Sequence, residues 1–289
     1  MLVQRQKLSN VKGVPLHSSM CAIFDKVEKF QAKADDVLIA TYPKAGTTWM
    51  IEIMDSMRQG GITKDIKTIP SHERAPFLEF NGLDLLEAMP SPRLVKTHLP
   101  FQLVPQSFWD KGCKVIYVAR NAKDVLVSFY FFYKMNARLP DTGTWNDFIE
   151  SFLSGNVVWG SWFDHVTGWW DIREKHPILY VFYEDILQDP WDPTREVERL
   201  ARFLGHTLDI DTIQEIVKYT SFDMMKDNPM TNASIMPTSI LDVSISPFMR
   251  KGQCSSSLLS PVSFSGGLTA RPPLPNGFTL HLKILWLNT

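Results

Sequence analysis

The sequence predicts an α/β fold: a single domain with a central parallel β-sheet flanked by helices. Short apolar runs starting near Val37, Arg93, Lys114 and Ile178 alternate with stretches whose apolar residues recur at helical spacing. That order builds a parallel sheet with helices on both faces. Residues 114–120 are continuously apolar through their middle, as a parallel strand buried on both faces should be. With 289 residues, 44% hydrophobic and 21% charged, the chain has the length and balance to bury such a core.

The chain begins with a mixed stretch, in which residues 11–16 read as an extended lead-in and residues 25–31 as a short helix. The first strand runs from Val37 into the turn Tyr42-Pro43-Lys44-Ala45-Gly46. A helix follows over residues 47–59, with Met50, Ile53, Met54 and Met57 on one face and Gly60-Gly61 at its end. A helix N-terminus presents unpaired N–H groups and a partial positive charge, so this P-loop-like strand–loop–helix suits a phosphate or sulfate. Lys44 adds a full charge, and Thr47 and Thr48 add hydroxyls. The order differs from the triphosphatase loop, since the Lys stands two residues before the Gly. Alone, the stretch fits an ordinary strand-to-helix turn equally well.

Residues 63–92 read as irregular, and Phe77 and Phe80 within them fit either a pocket cover or plain core. The second strand, 93–98, stops at Leu99-Pro100. The third, 114–120, feeds a helix capped by Asn121, with Asp124 in its first turn and Val125, Ser128, Phe129 and Phe132 along one face. The fourth covers 178–183. Asp192 then reads as a helix cap with Pro193 at the first position and Gly205 past the end, and residues 211–220 form another helix. Residues 253–289 contain no Asp or Glu and hold Ser, Gly and Pro clusters without period. They read as a divergent, poorly ordered tail on a domain of residues 1–252.

Composition excludes several function classes. A net charge of −1 gives no general affinity for nucleic acid, so an anionic ligand must be held by local cations. Cys21, Cys113 and Cys254 are too few and scattered for a disulfide framework or zinc site, and no metal cluster is visible. The first residues lack the apolar core of a signal peptide, and no apolar run reaches membrane-spanning length. A cytoplasmic location without membrane contact is the expectation.

In parallel α/β sheets, ligands bind outside the carboxyl ends of the strands. Those ends carry Lys44, Thr47 and Thr48; Lys96 and His98; Arg120, with Ser128 along its helix; and Tyr183. Such a rim suits a polyanionic substrate and a general base. Taken singly, Lys96 and Arg120 also fit surface charges, and His98 a hydrogen-bonded loop residue.

These residues sit in motifs that resemble those of the cytosolic sulfotransferases. Residues 41–49, Thr-Tyr-Pro-Lys-Ala-Gly-Thr-Thr-Trp, look like the family's 5′-phosphosulfate loop, and Lys96-Thr97-His98-Leu99-Pro100 like its catalytic-histidine segment. Tyr117-Val118-Ala119-Arg120-Asn121 with Ser128 is similar to the 3′-phosphate segment, and Ser246-Pro247-Phe248-Met249-Arg250-Lys251-Gly252 also matches in order. The resemblance covers residues 11–252 and is strongest to the phenol (aryl) branch.

It implies 3′-phosphoadenosine 5′-phosphosulfate (PAPS) as co-substrate, no metal, and sulfuryl transfer to a phenol, amine or steroid-like acceptor. By the same resemblance, Lys44, Ala45, Gly46, Thr47 and Thr48 hold the 5′-phosphosulfate and Trp49 stacks on adenine. Arg120, Ser128, Arg250, Lys251 and Gly252 hold the 3′-phosphate, while Tyr183, Thr220, Phe222, Phe248 and Met249 line the nucleoside side. His98, neutral at pH 7 with a pKa near about 6.5, is the general base. Lys44 and Lys96 stabilise the charge that develops. Met20, Phe77, Phe80, Phe132 and Trp145, beside Lys96 and His98, are the acceptor-pocket candidates. Beyond Gly252 the chain departs from the family, without its Gly-Asp-Trp-Lys-Asn type segment, dimer motif or final helix. That end reads as alternatively spliced or misassembled. It implies a monomer or weak dimer, and leaves open a variant that only binds nucleotide or folds poorly.

Overall fold

The fold is described from a computed structural model covering residues 5, 7–80, 82–188 and 194–250. Its centre is a four-stranded parallel sheet in the order β4-β3-β5-β6, from β3 (Val37–Thr41), β4 (Leu94–Thr97), β5 (Lys114–Ala119) and β6 (Ile178–Phe182). Alternate residues of these strands enter two apolar layers. Leu38, Ala40, Val115 and Tyr117 face one, while Ile39, Ile116, Val118 and Val181 face the other. Burial on both faces is why the strands read as uninterrupted apolar runs.

Helices cover both layers. On one side lie α2 (Thr47–Arg58), α11 (Arg195–Leu204) and α12 (Ile210–Tyr219), contributing Met50, Ile53, Met54, Val197, Leu200, Ile213 and Ile216. The other side holds α1 (Ser18–Glu28), α6 (Gln106–Asp110), α7 (Ala122–Met135), α8 (Trp145–Ser154) and α9 (Trp162–Ile172). Short helices α3 (Lys64–Thr68), α4 (Ser71–Arg74), α5 (Leu83–Ala88), α10 (Tyr183–Gln188) and α13 (Phe222–Lys226) complete the described chain.

Several local expectations change. Residues 11–16 are no simple lead-in: β1 (Leu8–Val11) pairs antiparallel with β2 (Val14–His17) across Lys12 and Gly13, both at positive φ. That is the backbone of a two-residue hairpin turn. The first helix starts at Ser18 rather than near residue 25, because the ring of His17 accepts from the Ser19 amide as its N-cap. Residues 63–92 contain three helical turns, and the aromatic region 142–172 holds α8, closed by a Thr144/Asp147 capping box, and α9, capped by Ser161. The cap and first position expected at Asp192 and Pro193 lie outside the described residues, and α11 is described from Arg195. The helix expected over 211–220 is α12, which starts one residue earlier because the Asp209 side chain accepts from the Thr212 amide. Asn121 and Gly205 cap α7 and α11 as expected from the sequence.

Candidate functional site

Register brings the strand ends onto one edge. Ala40 pairs with Thr97 on one side and Tyr117 on the other, and Ala119 pairs with Phe182. His98, the turn 42–46, Arg120 and Tyr183 therefore follow one another along the carboxyl edge in the order of the strands. A cavity of about 470 Å³ opens there. Its wall includes Lys44, Gly46, Thr47, Thr48, Trp49, Lys96, His98, Arg120, Ser128 and Tyr183.

One end is cationic. Gly46 is the N-cap of α2 at φ 103°, with no side chain capping the helix and no acidic residue in its first turn. Tyr183 packs against this glycine, since a Cβ there would come within 2.6 Å of its Cδ2. The Tyr183 ring also meets Trp49 edge-on at 5.2 Å and carries the Arg120 guanidinium at 4.3 Å. Arg120 Nη1 donates to the Lys44 carbonyl (3.0 Å), holding Lys44 in the left-handed region at φ 66°. Lys44 Nζ donates to the Phe248 carbonyl (3.2 Å) and lies over the Phe248 ring. Burial, then Arg120 and Arg250, draw its pKa down to about 7. Among the described residues, the buried donors Arg120 Nε and Arg250 Nη1 have no hydrogen-bond partner. Crowded cations with orphaned donors form a receptor for a polyanion.

The other end is aromatic. Phe77 and Trp159 flank His98, each with ring centroids 4.9 Å from its own, and Phe80 packs on both. The His98 Nδ1–H donates to the Thr41 carbonyl (2.8 Å), which leaves the lone pair on Nε2. Burial, only partly offset by that bond, pushes the ring down to about 3, lower than the ordinary histidine value expected from the sequence. The ring is thus neutral as anticipated, by a wider margin and for a different reason. Lys96, over the Phe77 ring at 4.5 Å, is drawn down to about 7 by burial. Beneath lies His165, whose Nε2–H donates to the His98 carbonyl (3.0 Å) while Nδ1 accepts from Tyr117 (2.8 Å).

Met20, Phe77, Phe80, Phe132, Thr220, Phe222, Phe248, Met249 and Arg250 also line the cavity. Trp145 does not: at the first position of α8 it stacks edge-on against Tyr130 (4.8 Å), joining two helices. Ala45 is buried behind the turn, its amide donating to the Tyr42 carbonyl (3.1 Å), and does not face the cavity. Lys251 and Gly252 lie outside the described residues. Sequence reasoning missed Trp159, Glu79, Thr41 and the chain segment bearing Ile235, Met236 and Ile240. Trp159 sits at φ 66°, with its amide donating to the Pro15 carbonyl (2.8 Å), and no local pattern announces that contact. Among the described residues no group of three or more His, Cys, Asp or Glu side chains could hold a metal ion. No helix among them is long and apolar enough to cross a membrane.

Known proteins share this arrangement. The sulfotransferase domain family matches residues 34–256. Sulfotransferase 1C2 of Rattus norvegicus is 51% identical over 258 residues, covering 87% of this chain and 86% of its own. Sulfotransferase 1A1 of the same organism is 50% identical over 254 residues, covering 86% of each. Among solved structures, mouse sulfotransferase SULT7A1 complexed with PAP superposes with a TM-score of 0.71 at 29% identity, over 89% of this chain and 90% of that one. Retinol dehydratase complexed with retinol and PAP gives 0.74 at 26% identity, over 84% and 81%. With half its aligned residues shared and the family's domain matched across most of its length, the chain belongs to the cytosolic sulfotransferase family, on the phenol sulfotransferase branch.

Proposed function

We propose that residues 1–252 transfer the sulfuryl group of PAPS to the hydroxyl of a small phenolic acceptor in the cytosol, with His98 as general base. The observation that carries this reading is the junction at His98. Its Nδ1–H is fixed by Thr41, so the free Nε2 lone pair stands between the cationic turn and the aromatic end of one cavity. The PAPS fit rests on the orphaned donors of Arg120 and Arg250 for its 3′-phosphate, and on Trp49 and Tyr183 for its base. Lys44, Thr47, Thr48 and the first turn of α2 meet the phosphosulfate.

The acceptor oxygen attacks sulfur as Nε2 takes its proton. The new O–S bond forms while the S–O bond to the 5′-phosphate breaks, and the electron pair leaves on that phosphate oxygen. Lys44 and Lys96 stabilise this charge. An apolar slot between Phe77, Phe80 and Trp159 favours a flat phenol. The test is transfer of labelled sulfate from PAPS to a simple phenol, alongside binding of 3′,5′-bisphosphoadenosine. His98→Ala should lower kcat by about a hundredfold or more while nucleotide affinity stays. Turnover by that variant would remove His98 from this role. Nucleotide binding by the parent protein without transfer would overturn the proposed activity.

A further inference from the structure

We propose that Glu79 is a positioning residue for the transfer step. Its buried carboxyl group holds His98 and the aromatic wall opposite it in place through direct hydrogen bonds. This rests on His98 being the base.

Glu79 reaches the strand end through a short parallel pairing. Phe77 bridges to Lys96, the Leu78 amide donates to the Lys96 carbonyl (2.9 Å), and the Lys96 amide donates to the Pro76 carbonyl (3.1 Å). That register sets Glu79 beside Thr97 and His98, fully buried. Its Oε1 accepts from the His98 amide (2.6 Å) and the Trp159 indole N–H (3.2 Å), and its Oε2 from the Thr97 hydroxyl (2.9 Å). Thr97 Oγ1 in turn accepts from the Leu99 amide (3.0 Å). All three neighbours are donors, which favour the ionised form, but burial outweighs them and lifts this carboxyl to about 7.

Among the described residues no ion pair includes Glu79. A carboxylate held inside a core by neutral donors is costly, and an apolar or amide side chain fills such a place at lower cost. What Glu79 adds at this place is a set of three hydrogen bonds converging on the His98 end of the strand, and a charge that favours the Lys96 ammonium. When Nε2 takes the acceptor's proton, an imidazolium forms in a field where the Lys96 and Lys44 ammonium groups and His165 all oppose positive charge on the ring. Glu79 acts on His98 through its peptide, accepting from the His98 amide, while its charge is felt by Lys96. The same side chain ties down Trp159, so the base and the wall that orients the acceptor share one anchor.

The experiment compares Glu79→Gln, Glu79→Ala, Trp159→Phe and His98→Ala in the full chain, with PAPS and a simple phenol. Each is measured for kcat, both KM values, 3′,5′-bisphosphoadenosine affinity and thermal midpoint. Gln keeps an oxygen for the His98 amide but sets an NH2 donor where Oε2 accepts from the Thr97 hydroxyl, so kcat should fall about tenfold or more with nucleotide affinity, PAPS KM and melting unchanged. Ala should lose more of kcat than Gln and raise the phenol KM, while Trp159→Phe should raise that KM with a smaller effect on kcat. Parental kcat in Glu79→Gln, with His98→Ala inactive, overturns the proposal while leaving the base in place. A loss of kcat matched by loss of nucleotide affinity or melting temperature overturns it in favour of a structural role. An active His98→Ala removes the base itself, and the proposal with it.

Discussion

Lys44 shows how one side chain links charge to binding. Burial and the neighbouring Arg120 and Arg250 hold its pKa near about 7 in the ligand-free site. A phosphate or sulfate oxygen at the same place favours the ammonium form and raises that value. Below pH 7 the lysine is already charged, so binding takes up no proton there. Above pH 7 each binding event must protonate Lys44, and affinity falls as pH rises toward the pKa of the complex. Titration calorimetry of 3′,5′-bisphosphoadenosine in buffers of different ionisation enthalpy should show proton uptake at pH 8 that vanishes in Lys44→Met, which should also bind more weakly. Residues such as Lys44, Arg120 and His98 were legible in the sequence because each follows a recognisable strand directly. Glu79 and Trp159 were not, because their contacts with His98 arise from chain segments brought together only by folding.

At the scale of the element, the strand–turn–helix around Gly46 was readable as an anion cradle from its Pro, Lys and Gly. The partner that makes its glycine indispensable was not. Tyr183 comes from the end of β6, and its ring occupies the space a side chain at position 46 would need. Gly46→Ala combines a left-handed backbone at φ 103° with a contact at 2.6 Å, so either the turn or Tyr183 must move. The strain alone is about 1–2 kcal/mol. Bisphosphate binding, followed by titration calorimetry, should weaken about tenfold or more, with the fold kept. Affinity equal to the parent's would show that the Tyr183 contact is dispensable. Helix ends were less legible than strands for a related reason. A cap such as His17 for α1 depends on backbone angles that the residue type alone does not specify.

At the scale of the molecule, a net charge of −1 conceals local extremes: a cation cluster at the sheet edge, and a buried ionic network behind α2. Arg74 bonds to Glu52 and to Asp55 (2.6 Å), both carboxylates without solvent exposure, and its Nε donates to the Ile69 carbonyl (2.9 Å). This ties α2, the helix that follows the turn 42–46, to the α3–α4 segment. Burial outweighs Arg74 at Glu52 and lifts that carboxyl to about 7. A folded-state pKa above the unfolded one gives a contribution that is full at low pH and lost as pH rises through about 7. Arg74→Met leaves buried Glu52 without its cation, while Asp55 keeps Arg58 (2.6 Å), and should cost about 3–5 kcal/mol at pH 7.5. Part of that loss should return near pH 6, as Glu52 takes a proton. Urea unfolding of parent and variant at both pH values measures this directly. A variant equally destabilised at both would place the cost in lost packing and hydrogen bonds, not in charge left behind.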